Sequence, residues 1–351
     1  MSLLKSHLPE VESWFLDAGE ESPARFSTHD KELDNLTNHA ALVDFSHRSM
    51  VEISGPQRHE FIQGLITNQA KEIRPNKTIY AAMLTPQGRF QWDFCIGSDS
   101  ERLFLDGEPQ QGEKLAQNLA FYLMRTKASI ADVSEEYGVL AIVGPEGESQ
   151  LQNLFPHITL ADADLGATFQ IEGGLVLWRD PRHADFGWRL RVNAADYPDI
   201  WKKLAKKIPP AGGLAWDHYR ILKSLPRGGN ELIPGKTLPL EAGLLELHGV
   251  NFQKGCYVGQ ETTARTHHRG TLKKRLFQVN LVGQGPFALQ SPVLTDSGKE
   301  AGTLTSVTNQ EGSNLALAVL RLSDVAARKK LTVSGTPVTV QKPHWAEWTL
   351  E

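Results

Sequence analysis

The chain has 351 residues, more than the about 250 to 300 at which a single hydrophobic core stops growing, so two or three domains are expected. Hydrophobic residues make up 40% and charged residues 22%, which is typical of a folded globular protein and excludes a disordered one. A formal net charge of -4 gives no general attraction to nucleic acid or anionic membranes, and two cysteines exclude a disulfide framework and a four-thiolate metal site.

The cellular location is predicted from three negative observations. No apolar run reaches the about 18 residues that a membrane span requires. The first 26 residues mix acidic side chains into an apolar pattern, unlike a secretory signal or an acid-poor organelle transit peptide. Together with the low cysteine count, these features predict a cytoplasmic protein in a reducing compartment, with no membrane partner.

Strand and helix patterns alternate along the first two thirds of the chain. In order, they predict a helix at 3–18, a strand at 50–53, a helix at 57–71, strands at 79–84 and 90–96, a helix at 110–125, a strand at 138–143, a helix at 146–155, strands at 175–178 and 187–192, and a helix at 199–208. A strand, a Gly-Pro turn and a helix occur twice, with the turns Gly55-Pro56 and Gly144-Pro145 89 residues apart. This order indicates two related modules, since solenoid repeats have periods of about 20 to 50 residues.

From residue 276 onward the pattern changes to short apolar runs separated by turn residues, with no convincing helix. The runs are 276–282, 302–307, 315–320 and 331–340. A small β-barrel is the closed structure that such a pattern favours.

The stretch from Lys254 to Glu261 holds a thiol where it has little packing to contribute. Gly255 and Gly259 flank Cys256, and glycine can take a positive φ, so the backbone can turn sharply and present the sulfur. A lone cysteine is often a small buried hydrophobe, and Cys95, on a predicted strand, fits that description. The glycines and charges around Cys256 instead favour a working thiol.

The chemistry available to Cys256 depends on its charged neighbours. The thiolate is the nucleophile and metal ligand, so nearby cations such as Lys254 and Arg265 would activate it, whereas Glu261 would oppose them. No protease signature surrounds the cysteine, and Cys-His hydrolysis is not favoured. The histidines form no H-E-x-x-H motif, and no Walker loop or G-x-G-x-x-G follows a strand, so neither a metal site nor a nucleotide-binding fold is predicted.

A local basic run follows the cysteine motif. It contains five full positive charges within eleven residues, at Arg265, Arg269, Lys273, Lys274 and Arg275. The run is either a solvated loop or an anion site for phosphates or a carboxylate-rich ligand tail, because Arg binds carboxylates in bidentate pairs.

Taken in order, several short motifs resemble the YgfZ-like folate-binding proteins that assist iron–sulfur cluster assembly, relatives of the aminomethyltransferase (T-protein) of the glycine cleavage system. The motifs are Gly55-Pro56 with residues 61–68, Gln87-Gly88-Arg89 with Asp93, Asp180-Pro181-Arg182 with Gly187-Trp188-Arg189, residues 239–244, and residues 254–261 with Thr263-Ala264-Arg265. The octet at 254–261 separates the two branches, because the glycine-cleavage enzymes look similar around it but lack the thiol. They also carry paired aspartates where this sequence has Trp92-Asp93.

The resemblance implies an α+β fold: a three-domain T-protein-like ring with two related α+β modules and a C-terminal small β-barrel. In this interpretation, residues 1–130 and 211–270 form the first module with the cysteine motif, residues 131–210 form the second, and residues 271–351 form the barrel. The resemblance also implies that tetrahydrofolate or a derivative binds in the central hole.

The resemblance also implies roles for individual residues. Asp93 would lie near the one-carbon end of the folate, and Asp185 falls near the family's pterin-binding acid, although the local pattern there departs from the family's. Trp188 and Tyr257 are candidate walls for the pterin ring, and each could equally be a core aromatic residue. The predicted catalytic residues are Cys256, Lys254 and Asp93, and the predicted cofactor-binding residues are Asp93, Asp185, Trp188, Tyr257, Gln260 and Arg265.

Three functions follow as hypotheses. The favoured one is a tetrahydrofolate-dependent accessory factor in iron–sulfur cluster assembly or repair, with Cys256 as the working thiol and iron–sulfur apoproteins or cluster carriers as partners. The alternatives are a folate-dependent aminomethyl transferase that acts through Asp93, and an RNA-modification factor that uses the basic run. Nucleic acid is the less favoured partner, and the sequence leaves open whether the chain catalyses a transferase-like reaction.

Overall fold

The computed structural model describes residues 3–4, 11, 13–17, 20–268, 270, 272–281, 287–310 and 313–350. Arg269 of the basic run lies outside these residues. The chain forms two compact units, the first from Met1–Ala82 and Trp92–Tyr219 and the second from Met83–Gln91 and Arg220–Glu351. Among the described residues, no helix has the length and apolar character needed to span a membrane.

The first unit holds two mixed α/β layers and a small hairpin. In chain order its elements are β1 (Ser13–Asp17), β2 (Glu20–Arg25), α1 (His29–Asn38), β3 (Ala41–Asp44), β4 (Ser49–Ser54), α2 (Arg58–Gln63), β5 (Ile79–Leu84), β6 (Phe90–Ser98), β7 (Arg102–Gly107), α3 (Gly112–Phe121), β8 (Ser129–Asp132), β9 (Tyr137–Val143), α4 (Gly147–Leu154), β10 (Thr168–Ile171), β11 (Leu175–Arg179), β12 (Trp188–Asn193), α5 (Tyr197–Ala205), β13 (Pro210–Ala211) and most of α6 (Gly213–Leu222). The tip of the β5–β6 hairpin belongs to the second unit.

The two sheets of the first unit repeat one strand order. One sheet runs β5-β6-β7-β4-β8 and the other runs β10-β11-β12-β9-β3-β13. The strand before each Gly-Pro turn, β4 or β9, therefore occupies the same place in its sheet. The preceding strands are exchanged, because β3 precedes β4 but pairs with β9, and β8 precedes β9 but pairs with β4. This exchange joins the two modules into one compact unit.

Buried apolar faces hold these layers together. Helix α5 begins with Pro198 in its first turn and turns Tyr197, Trp201 and Leu204 inward, a spacing of three to four residues that lies on one helix face. These side chains pack in a core with Leu140 and other residues of the second sheet. Burial of each large apolar side chain contributes about 1.5–3 kcal/mol, so this face anchors the helix.

The second unit contains a closed barrel. Its elements are α7 (Gln260–His268), β14 (Lys274–Leu281), β15 (Pro292–Thr295), β16 (Glu300–Gln310), β17 (Ser313–Arg321), α8 (Leu322–Ala326), β18 (Leu331–Val333) and β19 (Thr336–Gln341). The six strands pair in the order β14-β17-β16-β15-β18-β19, and β19 returns to β14. Small and apolar side chains such as Val279, Ala318 and Val333 fill the interior. Because β19 pairs with β14, the described strands form a closed ring.

Several element predictions are confirmed and two are wrong. The β5–β6 hairpin, the repeated strand–turn–helix order and the barrel are present as predicted. The helix predicted at 3–18 is wrong where the structure describes it, since Ser13–Asp17 pairs with Glu20–Arg25 as antiparallel strands, while residues 5–10 of that prediction lie outside the described residues. The helix predicted at 57–71 is shorter, ending at Gln63. At residues 13–17, backbone pairing with β2 overrides the helical periodicity. After Gln63, the chain leaves the helix although the apolar pattern continues.

Candidate functional site

Asp93 is a buried carboxylate on β6 with an unused acceptor. Asp93 is 4% exposed, and its Oδ2 accepts a hydrogen bond of 2.9 Å from the Tyr80 hydroxyl. Its Oδ1 is buried and has no hydrogen-bond partner among the described residues. A buried acceptor without a donor costs about 1–3 kcal/mol, so this oxygen is available to a ligand that brings N–H or O–H donors.

The charge state of Asp93 reflects this environment. Burial raises the pKa of Asp93 to about 6, and the neighbouring Glu108 carboxylate acts in the same direction. The charges of Arg182 and Arg48 and the hydrogen bond from Tyr80 lower the pKa, but they only partly offset burial. Asp93 is therefore mainly ionised at neutral pH and becomes protonated under mildly acidic conditions.

A chain of buried ion pairs lies around this carboxylate. Arg48 contacts Asp106 at 2.6 Å and Glu108 at 3.0 Å, and Arg189 from β12 contacts the other oxygen of Asp106. Because Asp106 lies on β7 and Arg189 on β12, these pairs connect the two sheets of the first unit. Removing one partner of such a buried pair typically costs about 3–5 kcal/mol of stability. The cluster therefore holds the sheet that carries Asp93 against the second sheet.

The chain of ion pairs continues into the loop after β11. Arg182 donates two hydrogen bonds to the Asp180 carboxylate, at 2.9 and 2.7 Å, and Arg189 lies 2.9 Å from the same carboxylate. Burial acts to raise the pKa of Asp180, but Arg182 and Arg189 outweigh it and hold this pKa below its ordinary value. The Arg182 guanidinium also lies 3.4 Å from the Phe186 ring centroid and 5.4 Å from that of Tyr80.

Four members of this cluster were not predicted from the sequence: Tyr80, Arg48, Asp106 and Glu108. One signal was visible, because Asp106 interrupts an apolar strand at residues 103–107 and Glu108 follows it directly. A charged residue inside a buried strand requires a partner, but the partner of Asp106, Arg189, is 83 residues away in the sequence. Only the paired sheets bring the two together.

The structure places Asp185 and Trp188 in different surroundings. Asp185 is half-buried in a short 3-10 turn, and its carboxylate lies 3.2 Å from His183 Nδ1. Trp188 is 3% exposed and packs in the second-sheet core with Phe169, whose ring centroid is 6.2 Å away. The Trp188 ring thus packs as a core aromatic, and its role as a wall for the cofactor stays a prediction.

Cys256 is exposed, in contrast to Cys95, which is buried. Next to Cys256, the ammonium of Lys254 lies 4.9 Å from the Tyr257 ring centroid, and burial lowers the pKa of Lys254 to about 8. Burial also raises the pKa of Tyr257 to about 12, so its phenol stays neutral. Burial raises the pKa of the Cys95 thiol to about 12, so Cys256 is the cysteine of the two that presents an accessible thiol.

Gly259 fixes the turn that presents this thiol. Its φ of +83° is in the left-handed region, and a Cβ there would lie 2.4 Å from the Thr85 carbonyl oxygen. Helix α7 begins at the next residue, and the Gln260 side chain accepts a hydrogen bond of 3.1 Å from the Tyr257 backbone N–H. Gly255 differs, because a Cβ there meets nothing within 4 Å and its φ is not positive. Of the two glycines expected to let the backbone turn with a positive φ, only Gly259 adopts one.

We expect Gly259→Ala to lower the free energy of unfolding by about 1–3 kcal/mol, because alanine at this φ is strained and its Cβ overlaps the Thr85 carbonyl. Gly255→Ala is the matched control, with an expected change within about 0.5 kcal/mol. Urea denaturation of both variants measures the difference. Equal stability of the two variants would contradict the proposed role of Gly259 in the turn.

The charges of the basic run that the structure describes differ in their exposure and in their partners. Arg265 and Lys273 are exposed. Arg275 donates a hydrogen bond of 2.5 Å to Glu246 and lies 5.2 Å from the Trp348 ring centroid, which reduces the charge it offers to a ligand. His267 stacks on Phe252 with a centroid distance of 4.1 Å. An anion site at this run remains a prediction.

The fold and these sites define a class of protein. Residues 10–251 match the model of the GCVT N-terminal domain, and residues 273–348 match that of the CAF17 C-terminal β-barrel domain. The chain therefore belongs to the GCVT-domain family with a CAF17-type barrel, and the predicted fold is confirmed. The fold resembles the crystal structure of glycine cleavage system aminomethyltransferase T from Bartonella henselae, with a TM-score of 0.83 at 17% identity, over 99% of this chain and 98% of that one.

The chain is also similar to two characterised kinds of protein within this family. The chain is 30% identical over 323 residues to the mitochondrial iron–sulfur cluster assembly factor IBA57 of Mus musculus, covering 85% of this chain and 83% of that protein. It is also 28% identical over 324 residues to an aminomethyltransferase of Moorella thermoacetica, covering 89% and 87%. The resemblance drawn from the ordered motifs is thus confirmed at the level of the GCVT-domain family, whose members include proteins named iron–sulfur cluster assembly factors.

The prediction of a cytoplasmic location is wrong by this comparison, because the IBA57 relatives are named as mitochondrial. The reason is that the composition of a folded chain does not encode its compartment. A low cysteine count argues against a disulfide framework, but it does not distinguish one reducing compartment from another.

Proposed function

We propose that this chain is a YgfZ-like, folate-binding accessory factor in iron–sulfur cluster assembly, with Cys256 as its working thiol. The observation that carries the proposal is the exposed sulfur of Cys256, held beside the glycine turn at Gly259, in a chain whose relatives include proteins named iron–sulfur cluster assembly factors. Thiolate sulfur is a soft ligand suited to iron–sulfur chemistry and a redox-active group. The proposed partners are iron–sulfur apoproteins or cluster carriers.

Lys254 supports this role. With a pKa lowered to about 8 by burial, its side chain is partly deprotonated slightly above neutral pH. It can therefore take up a proton when the nearby thiol ionises, or keep its charge and stabilise the thiolate. Only the uptake of a proton requires a lysine whose pKa lies near neutral pH, because an ordinary lysine, with a pKa of about 10.4, is already fully protonated there.

The folate part of the proposal rests on Asp93. Tetrahydrofolate carries its one-carbon unit on two neighbouring amines, whose N–H groups can donate a hydrogen bond to a carboxylate. Asp93 fits this group, because its Oδ1 is a buried acceptor without a partner among the described residues. The Tyr80 hydroxyl would hold the other oxygen in place.

Anaerobic calorimetry with reduced folates tests this part directly. We expect tetrahydrofolate to bind to the purified chain, and mass spectrometry of the protein purified from cells to detect a reduced folate. Absence of heat with every reduced folate, together with no co-purified folate, would contradict the cofactor proposal. It would leave the thiol proposal to be tested separately.

The aminomethyltransferase alternative has its own support in the Moorella relative and the shared fold. It predicts glycine-cleavage activity when the other components of that system are supplied, whereas the accessory-factor proposal predicts none. An RNA-modification role would instead use the exposed Arg265 and Lys273, and RNA affinity would fall steeply with salt. These two assays separate the three functions.

A further inference from the structure

A small cavity lies between the two sheets of the first unit, and it does not include Asp93. Its lining includes side chains from both sheets: Met50, Cys95, Phe104, Val176, Trp178 and Arg191. The first three lie on β4, β6 and β7, and the last three lie on β11 and β12. Most of the lining is apolar.

Two residues that line this cavity carry a buried donor without an acceptor among the described residues. Arg191 is 8% exposed and Trp178 is 5% exposed. The Nε of Arg191 and the Nε1 of Trp178 have no hydrogen-bond partner among the described residues. Val176 lies opposite Arg191 in the β11–β12 ladder, and Trp178 lies two residues further along the strand. Their side chains therefore point to the same face of the sheet.

The polar neighbours in the cavity wall do not satisfy these donors. Both oxygens of Asp106 are engaged, one by Arg48 and one by Arg189. The Thr78 hydroxyl hydrogen-bonds to Thr168 at 2.8 Å. The Cys95 thiol, whose pKa burial raises to about 12, stays neutral. Among the described residues of the lining, the cavity thus combines a cation and an N–H donor with one carboxylate, Asp106, that is already paired with two other arginines.

The carboxylates that act on Arg191 from outside the cavity are also engaged elsewhere. Glu52 and Asp99 pair with Arg102, at 3.2 and 2.9 Å. The Arg191 guanidinium instead lies 3.7 Å from the Phe104 ring centroid and 5.0 Å from that of Tyr137. Burial lowers the pKa of Arg191 to about 10, as expected for a guanidinium that no carboxylate neutralises.

We propose that this cavity binds a small monovalent anion, chloride in the cell, through Arg191 and the indole N–H of Trp178. The space admits about one or two water-sized bodies, so it can hold a halide but excludes phosphate and metabolites with carboxylate groups. The bound anion neutralises the buried guanidinium and occupies the gap between the two sheets. The site is independent of the folate and thiol proposals, because it uses neither Asp93 nor Cys256.

Thermal unfolding at constant ionic strength tests the proposal, with sodium gluconate replaced stepwise by sodium chloride. The wild-type melting temperature should rise by about 2–4 °C, since a ligand that binds only the native state stabilises it. Trp178→Phe keeps the ring and loses one N–H donor, so its response should need about fivefold more chloride. Arg191→Leu should show no response, and it should melt higher than wild type in the absence of chloride.

Arg125→Leu is the matched control, because Arg125 is exposed and does not line the cavity. It should respond to chloride as the wild type does. Crystals soaked in sodium bromide should show an anomalous peak between Arg191 and Trp178. A wild-type melting temperature that does not depend on chloride, an Arg191→Leu variant that responds like wild type, or a cavity that holds water without bromide would each overturn the proposal.

Discussion

Cells that carry Cys256→Ser in place of the wild-type chain are expected to lose the support of their iron–sulfur enzymes, to the level of cells that lack the protein. Serine has a similar volume and fits the same turn, but its hydroxyl is far less acidic than a thiol and is a poor soft-metal ligand. Because Cys256 is exposed, the free energy of unfolding should change by no more than about 0.5 kcal/mol. Activity assays of iron–sulfur enzymes and thermal unfolding of the purified variant measure the two effects.

Cys95→Ser provides the matched control within the same chain. Cys95 is 3% exposed, and a hydroxyl placed there without a partner costs about 1–3 kcal/mol. This variant should therefore melt at a lower temperature, and its remaining folded fraction should still support iron–sulfur enzymes. Full activity of Cys256→Ser would show that the thiol is not the working group. A marked loss of stability in Cys256→Ser would instead show a structural role.

Asp93→Asn is expected to raise the free energy of unfolding and to weaken folate binding. Asparagine keeps the shape and can accept from the Tyr80 hydroxyl, but it carries no charge to bury. The pKa of Asp93 rises from 3.8 to about 6 on folding, and two pKa units correspond to roughly 3 kcal/mol. We therefore expect the variant to be more stable than wild type at pH 7 and to bind tetrahydrofolate at least about tenfold more weakly, since hydrogen bonds to charged groups contribute about 1.5–3 kcal/mol.

The pH dependence gives a second readout for the same variant. Because the folded pKa is raised, the wild-type chain gains stability from proton binding below pH 3.8 and loses it as the pH rises through about 6. The stability advantage of Asp93→Asn should thus be absent below pH 3.8, grow up to about pH 6, and then level off. Denaturation curves across this pH range and calorimetry with tetrahydrofolate check the two expectations.

Asp180→Asn is the opposite control in the same buried cluster. Its carboxylate pairs with Arg182 and Arg189, and these charges hold the pKa of Asp180 below its ordinary value. Removing its charge should lower the free energy of unfolding by about 3–5 kcal/mol at pH 7.

Unchanged folate affinity in Asp93→Asn would exclude Asp93 from a folate site. Reduced stability of Asp93→Asn at pH 7 would contradict the pKa argument.

The sequence by itself determined the parts of this protein that depend on local patterns. Alternating apolar runs around residues 85–89 predicted the β5–β6 hairpin, and short runs after residue 276 predicted the barrel, because periodicity reports which face of a strand is buried. The octet at 254–261 identified the cysteine motif, since glycines and charges around a thiol argue against packing. The repeated Gly-Pro turns indicated two related modules.

The tertiary structure alone decided which distant residues meet. Strands β3 and β8 pair with the opposite module, and Arg189 reaches Asp106 across 83 residues, so neither the exchange nor the buried ion pairs have a local signature. The same holds for burial. Trp188 is a core residue, and Gly259 rather than Gly255 meets the Thr85 carbonyl. Each of these depends on packing against elements far along the chain, which sequence spacing does not encode.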